Sequence, residues 1–358
     1  MLTLSLALML GLQAPTSAAA RPPDGLDRLV RSTMASHRIP SVAIAVVRNG
    51  RVLKAAAYGP ASLELPLPAG PHTLYEIGSI TKQFTAVAVL QLVEQGKLEL
   101  DSPFSRYLDS VPAAWQGITL RQLLTHTSGI PDWEEAHLLD FRRSYTIPEF
   151  MAAVAAHPLG FPPGSRWSYS NSTFPLLGAI VARVSGESYE AFVTRHILAP
   201  AGMTETRFRH NDAVIPSRAA GYVDSAGRFW NAEPRRPELL LPNGGILSNA
   251  VDMAKWSGAL VHGGLLQPAS LERMTTPLRL SDGKTFNAGI GWFLDSFHGH
   301  RMLLHNGATP AGFSSVIYRY PDDGLAVVVL MSVDRGALVN DLATQLADLV
   351  IPGLAQKH

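Results

Sequence analysis

The chain of 358 residues contains no cysteine. A disulfide scaffold, thiolate metal sites and a cysteine nucleophile are therefore excluded. Charge is scarce as well: 16% of residues are Asp, Glu, Lys or Arg, and the formal net charge is +1. Such near-neutrality gives no field that would gather nucleic acid or an acidic membrane surface. No basic run with interleaved aromatics occurs, so no nucleic-acid partner is expected. His-Glu-x-x-His is missing, and "HGH" (298–300) falls in a turn, so no metal site and no cofactor are expected. Gly-x-Ser-x-Gly is missing too, which argues against an α/β-hydrolase. There is no internal repeat and no low-complexity tract.

What is present describes an ordinary globular protein, with 46% hydrophobic residues and 30 glycines. The first twenty residues stand apart. Leu2 to Leu12 form a short apolar stretch, and "SAAA" before Arg21 offers the small residues of a signal-peptide cleavage site. Residues 1–20 are read as an export signal, which places the mature protein in the periplasm or outside the cell. That stretch is too short for a comfortable membrane span, and no later segment reaches that length.

Residues 21–355 read as a single catalytic unit. "DGLDRLVRSTMASHRI" (24–39) has Leu26, Leu29, Val30 and Met34 on one helical face. "SVAIAVVRNGRVLKAAAYG" (41–59) is a hairpin around Asn49-Gly50. From about 101 to 286 helices and loops dominate, including a helix that begins near Ser248 as N-cap. From about 287 the pattern returns to strands, in "NAGIGWFL", "HRMLLHNG" and "FSSVIYRYPDDGLAVVVLMS", and a closing helix covers roughly 335–350. The expected fold class is mixed α/β (α+β). One antiparallel sheet is completed by both ends of the chain (about 21–100 and 287–355), beside a mostly helical lobe.

Within "YEIGSITKQFTAVAVLQLVEQG" (75–96) a helix that is apolar on nearly every face carries Lys82 in its first turn. Burial and the helix dipole both disfavour a cation there, and both lower a lysine pKa. Ser79 lies one turn earlier, on the same face, so its Oγ can meet the amine. A serine activated by a neighbouring base is a known route to acyl transfer, and helix N-terminal N–H groups suit a developing oxyanion. Ser-x-x-Lys is a weak pattern, however, and "SDGK" (281–284) matches it inside a turn. Buried context separates the two.

Tyr169, Ser170 and Asn171 sit in a loop before an apolar helix. Tyr169 needs nearby cations to act as a base, and Asn171 offers an amide to orient a lysine or a carbonyl. Read alone, the same residues are a packing tyrosine and a helix cap. His305 and Gly307 end a strand in "LLHNGATPAGF"; a lone His is more often structural, and Gly allows a close backbone approach.

These three patterns, in this order around a helical lobe, resemble the serine β-lactamase and penicillin-binding protein superfamily. The closer resemblance is to the class C β-lactamase-related branch, which includes D-alanyl-D-alanine carboxypeptidases, D-aminopeptidases and esterases. "LLTHTSGIP" (123–131), "PPGSRWSYSN" (162–171) and "GGILSNAVDMAKW" (244–256) are similar to further signatures of that branch. The resemblance implies Ser79 as nucleophile, Lys82 as base or relay, and Tyr169 as the phenol that moves protons. It also implies Asn171 as support for Lys82 and substrate, His305 and Gly307 as the strand motif, and an oxyanion hole from the N–H groups of Ser79 and Ala308. The reaction implied is attack, acyl-enzyme formation and hydrolysis by water.

Two departures shape the expected substrate. The strand motif of class C β-lactamases begins Lys-Thr, whereas this chain has His305-Asn306-Gly307. A neutral imidazole attracts a carboxylate less than an ammonium does, although a protonated one at lower pH can. No Glu stands at the spacing of a class A deacylation base. The expectation is a small ester, a D-amino-acid peptide or a cell-wall-derived substrate, with β-lactam hydrolysis weak or absent. A true β-lactamase and a non-catalytic binding relative are the alternatives. Trp133, Phe229 and Trp230 are candidate walls of the cleft, and nothing in the chain speaks to oligomeric state.

Overall fold

The computed structural model describes residues 24–140, 143–232, 237–262 and 264–351. The export signal read over 1–20 lies outside the described residues, as do 233–236 of the loop read over 221–238. The main sheet has six antiparallel strands. From edge to edge they are Phe293–Phe297, His300–Thr309, Phe313–Tyr320, Leu325–Met331, Val42–Arg48 and Arg51–Tyr58. The two ends of the chain meet at its centre, with Val42 opposite Met331 and Val46 opposite Val327.

The central strands lack polar alternation because both of their faces are covered. Ala43, Ala45 and Val47 point into the core shared with the helical part. Val42, Ile44 and Val46 point the other way, toward helices Gly25–His37 and Gly336–Asp348. The first of these helices starts from a capping box, in which Asp24 and Asp27 each accept the other's backbone N–H. Asn49 and Gly50 both take positive φ (49° and 74°), the two-residue turn whose twist suits a hairpin.

Helix Thr81–Glu94 is buried on every side over its first ten residues. It packs on helix Thr173–Ser185 and on the turn Leu241–Gly244. Phe84 stacks on Trp256 at 3.8 Å between centroids, and Trp256 Nε1 donates to Gln83 Oε1 at 3.0 Å. The helix that pins the site is thus locked from behind.

Three local expectations need correction. Ser248 is not the N-cap of helix Ala250–His262. Asn249 accepts the Asp252 N–H at 2.9 Å, while Ser248 closes a short strand against Tyr75 and bonds Thr206. The strand read from 287 begins only at Phe293, after Gly291 at φ 75° has turned the chain. The strand holding His305 and Gly307 runs on to Thr309 rather than ending at them. "SDGK" does form a turn, closed by the Leu280 N–H on Lys284 O at 2.8 Å.

Trp256→Ala removes the stacking surface of Phe84 and the partner of Gln83, at a cost of roughly 3–5 kcal/mol. Urea unfolding followed by circular dichroism reads this directly. A loss below about 1 kcal/mol would show that the helix is held by other contacts.

Candidate active site

Ser79 lies in a single 3-10 turn, Gly78–Ile80, immediately before the buried helix. The turn is set by Gly78 at φ 50°, where a Cβ would stand 3.0 Å from both the N and the O of Ala308. Only glycine accepts that φ at that distance from another backbone. Lys82 follows on the same face with no solvent exposure. Its Nζ bonds Ser79 Oγ at 3.0 Å, Asn171 Oδ1 at 2.8 Å and the Asn243 carbonyl at 3.0 Å. It also lies 4.9 Å from the Tyr169 ring centroid and 5.2 Å from that of Phe174.

Two of these three partners can only accept, whereas the Ser79 hydroxyl can accept or donate. An ammonium satisfies the set with three N–H donations. A neutral amine satisfies it with two, its lone pair receiving the Ser79 O–H. A proton can therefore pass between Ser79 and Lys82 without any side chain moving.

Tyr169 is brought to the same point by its loop. His126, at φ 58°, accepts the Ser168 N–H on its carbonyl at 3.0 Å and the Ser170 N–H on its Nδ1 at 3.1 Å. Its ring stacks on Tyr169 at 4.5 Å. Burial first, then the charge of Lys82, keeps His126 neutral by lowering its pKa well below the ordinary value. The Tyr169 hydroxyl lies beside Ser79 in the cleft. Burial raises its pKa above the usual 10; the nearby Ser79 side chain opposes this, and the charges of Asp132 and Glu134 add to it. At neutral pH Tyr169 is a phenol, not a resident phenolate.

Asn171 supports Lys82 rather than capping a helix. Its Nδ2 donates to Glu134 Oε2 at 3.0 Å, which fixes Oδ1 toward the amine. Its backbone N–H donates to Asp132, whose other oxygen accepts the Glu134 and Glu135 N–H groups. The 132–135 turn and the 169–171 loop are thus stapled together. Asp132, Glu134, His126 and the Asn243 carbonyl were not picked out from sequence. An Asp two residues before a backbone N–H it bonds is a readable local turn. That Glu134 then faces Asn171 is a long-range fact with no local signal.

Gly307 and Ala308 lie directly against the Ser79 turn. A Cβ on Gly307 would stand 2.3 Å from Ile77 O and 2.9 Å from Ser79 N. The ladder to strand Phe293–Phe297 ends at Leu304, so residues beyond it present a strand edge to the cleft. His305 itself does not face that cleft. It is 3% exposed, its Nδ1 donates to Asn306 O at 2.7 Å, and its ring packs near Phe293 and Tyr169. Burial, with the Lys82 charge second, pushes its pKa down to about 3. Burial away from the cleft, with that depressed pKa, argues against the protonated carboxylate anchor considered above; the exposed strand residue is Asn306.

The cleft in front of Ser79 has a volume of about 480 Å³ and is walled by Tyr169, Asn171, Glu134, Phe293, Asn306 and Asp334, among others. A larger hollow of about 610 Å³ around Arg121 and Arg279 touches none of these groups. The suggested aromatic walls are elsewhere. Trp133 is buried in the core, Phe229 packs on Tyr222 beneath Arg38, and Trp230 is exposed beside Arg228.

The beta-lactamase profile matches residues 26–350, essentially all of the described chain. The chain belongs to the beta-lactamase family. PbpX of Bacillus subtilis (strain 168) is 33% identical over 291 residues, covering 80% of this chain and 69% of its own length. A penicillin binding protein from Bacillus halodurans superposes with a TM-score of 0.78 at 29% identity, covering 92% of this chain and all of that one. D-amino acid amidase from Ochrobactrum anthropi SV3 superposes with a TM-score of 0.80 over 91% of this chain and 98% of that one. At 24% identity that likeness is one of fold. The family is one of serine hydrolases, and the Ser79 constellation stands in this family member where the fold brings sheet edge, buried helix and tyrosine loop together.

Two outcomes follow from this geometry. Gly307→Ala drives a methyl group into Ile77 O and Ser79 N, so turnover falls by about a hundredfold or more while circular dichroism stays native. Near-normal turnover would mean the strand edge does not set the position of Ser79. The second concerns His305. Its folded pKa is depressed, so below about pH 6.5 the unfolded chain binds a proton that the folded chain refuses, down to about pH 3. Stability is intact above that window and falls within it. His305→Gln should recover on the order of 2 kcal/mol of the loss between pH 7 and pH 4.5, measured by urea unfolding at both. An unchanged pH slope would contradict the buried neutral state.

Proposed function

We propose that the chain hydrolyses amide, peptide or ester bonds through an acyl-enzyme on Ser79. The observation that carries this reading is the 3.0 Å contact of Lys82 Nζ with Ser79 Oγ, held on its far side by Asn171 and Asn243. Lys82 takes the Ser79 proton as Oγ forms its bond to the substrate carbonyl carbon. The carbonyl oxygen, now negative, is met by the N–H groups of Ser79 and Ala308. As the bond to the leaving nitrogen or oxygen breaks, the Tyr169 phenol hands that atom a proton and is reprotonated from Lys82. Water then attacks the ester on Ser79, losing its proton to the same pair; the acyl carbon–Oγ bond breaks, the pair returns that proton to Ser79 Oγ, and the free acid leaves.

Tyr169 suits the donor role because burial keeps its proton on. The similarity to a D-amino acid amidase and to penicillin-binding proteins supports amide and peptide carbonyls as the leading substrates, with esters as the less demanding ones. Efficient β-lactam hydrolysis is disfavoured, because the residue in place of a strand lysine is an imidazole held neutral and away from the cleft.

A fluorophosphonate probe tests the central step. The folded wild type is expected to be labelled at Ser79 and Ser79→Ala to be silent. No labelling of folded wild type would instead favour a non-catalytic binding relative. On one preparation, nitrocefin should turn over far more slowly than the best p-nitrophenyl ester or alanyl amide. Equal rates would restore the β-lactamase reading.

A further inference from the structure

The hollow of about 610 Å³ that touches none of the groups around Ser79 is lined by three arginines and one carboxylate. The arginines belong to three separate elements: Arg121 to helix Leu120–Leu124, Arg273 to helix Pro268–Thr275 and Arg279 to the short strand Leu278–Arg279. The carboxylate is Asp101, which Arg121 holds in a bidentate pair through Nε at 2.7 Å and Nη2 at 2.8 Å. Those bonds keep the Asp101 carboxyl below its ordinary range; burial opposes this, and the charges of Arg121 and then Arg273 add to the lowering. Arg273 makes no hydrogen bond or ion pair with any described residue. Arg279 uses only its Nε, which donates to Gly283 O at 3.3 Å in the "SDGK" turn. Three guanidiniums against one carboxylate leave an excess of two positive charges in one concave space.

The walls are fixed before any ligand arrives. The Gly164 N–H donates to Thr127 O at 2.7 Å, and the Gly164 carbonyl accepts the Ser281 N–H at 2.9 Å. On the far side the Ile290 N–H donates to Met274 O at 3.1 Å. A Cβ on Gly289 would stand 2.0 Å from that same oxygen, so the helix carrying Arg273 is seated directly on segment 289–290. Beside the cations the lining is apolar, with Leu278, Leu280 and Ile290, of which Leu278 and Ile290 are buried. A hollow of this size suits a small organic molecule rather than a lone ion. Guanidinium forks match the paired oxygens of phosphate and carboxylate, and an apolar floor suits an apolar body.

The geometry points to a second binding site, separate from the Ser79 cleft, for a small molecule with a doubly charged anionic head on an apolar body. A phosphate monoester and a dicarboxylate share that chemistry. The inference is independent of the acyl-enzyme reading, because the two hollows have no lining residue in common.

Isothermal titration calorimetry on the full chain tests it with phenyl phosphate and phenylsuccinate, each compared with benzoate. At mildly alkaline pH the first two are dianions and the third carries a single charge. At least one dianion should saturate one site per chain, at least about tenfold more tightly than benzoate. Tighter phenyl phosphate would assign the phosphate source, and tighter phenylsuccinate the dicarboxylate one. Arg273 and Arg279 are both exposed, so Arg273→Gln combined with Arg279→Gln should keep a native circular dichroism spectrum while weakening the dianion by about tenfold or more. Arg301→Gln removes an arginine outside the hollow, one paired with Asp322, and should shift the affinity by less than about twofold. Failure of both dianions to saturate by about 5 mM would overturn the inference. So would equal binding of benzoate, an unchanged affinity in the folded double variant, or an equal loss in Arg301→Gln.

Discussion

Everything around the site is arranged to keep one amine out of water. Lys82 has no solvent exposure, and an amine taken from water is tolerated only when oxygens replace its hydration. Its three oxygen partners come from three separate segments: the 3-10 turn at Ser79, the loop at Asn171 and the turn at Asn243. Each partner is itself fixed. Asn171 is oriented by Glu134 and anchored through Asp132, and the Asn243 turn packs on the helix that carries Lys82. If any one segment shifts, the buried amine loses an acceptor.

The fold supplies the rigidity this requires. The central sheet strands are buried on both faces, and the last stretch of strand His300–Thr309 extends past its neighbour to meet the Ser79 turn. Gly78 and Gly307 let two backbones approach to distances that a Cβ would forbid. On the other wall, His126 holds the tyrosine loop through two backbone bonds and a stacked ring. These contacts hold Lys82 on Ser79 and set the Tyr169 ring 4.9 Å from the Lys82 amine before any substrate arrives.

Much of this was legible in the residues alone. The Asn-Gly hairpin, the all-apolar helix and the return of strands after residue 287 are local patterns, and the structure repeats them with small shifts in their bounds. The buried setting distinguished Ser79–Lys82 from "SDGK", whose lysine is exposed and paired with Asp282. Other features were hidden for physical reasons. Ser248 and Asn249 are both good caps, and which one caps depends on the short strand that claims Ser248. Trp133 looks like a cleft wall on a loop, yet its ring is buried in the core. Glu134 and Asp334 are two among 29 acidic residues, and only the folded chain brings them to the same cleft. His305 was read from its motif position, but the alternation of the strand sends its side chain inward and leaves Asn306 in the open.

The central claim is that Lys82 accepts the Ser79 proton, and the rate of acylation in Lys82→Arg tests it most directly. Arginine keeps the charge and the hydrogen-bond donors but cannot serve as a base. With rapid quenching and intact-protein mass spectrometry on an activated ester, the account predicts that acyl transfer to Ser79 slows on the order of a thousandfold in a variant that still folds. Acylation within about twofold of wild type would contradict it and leave Lys82 as a positioning residue only.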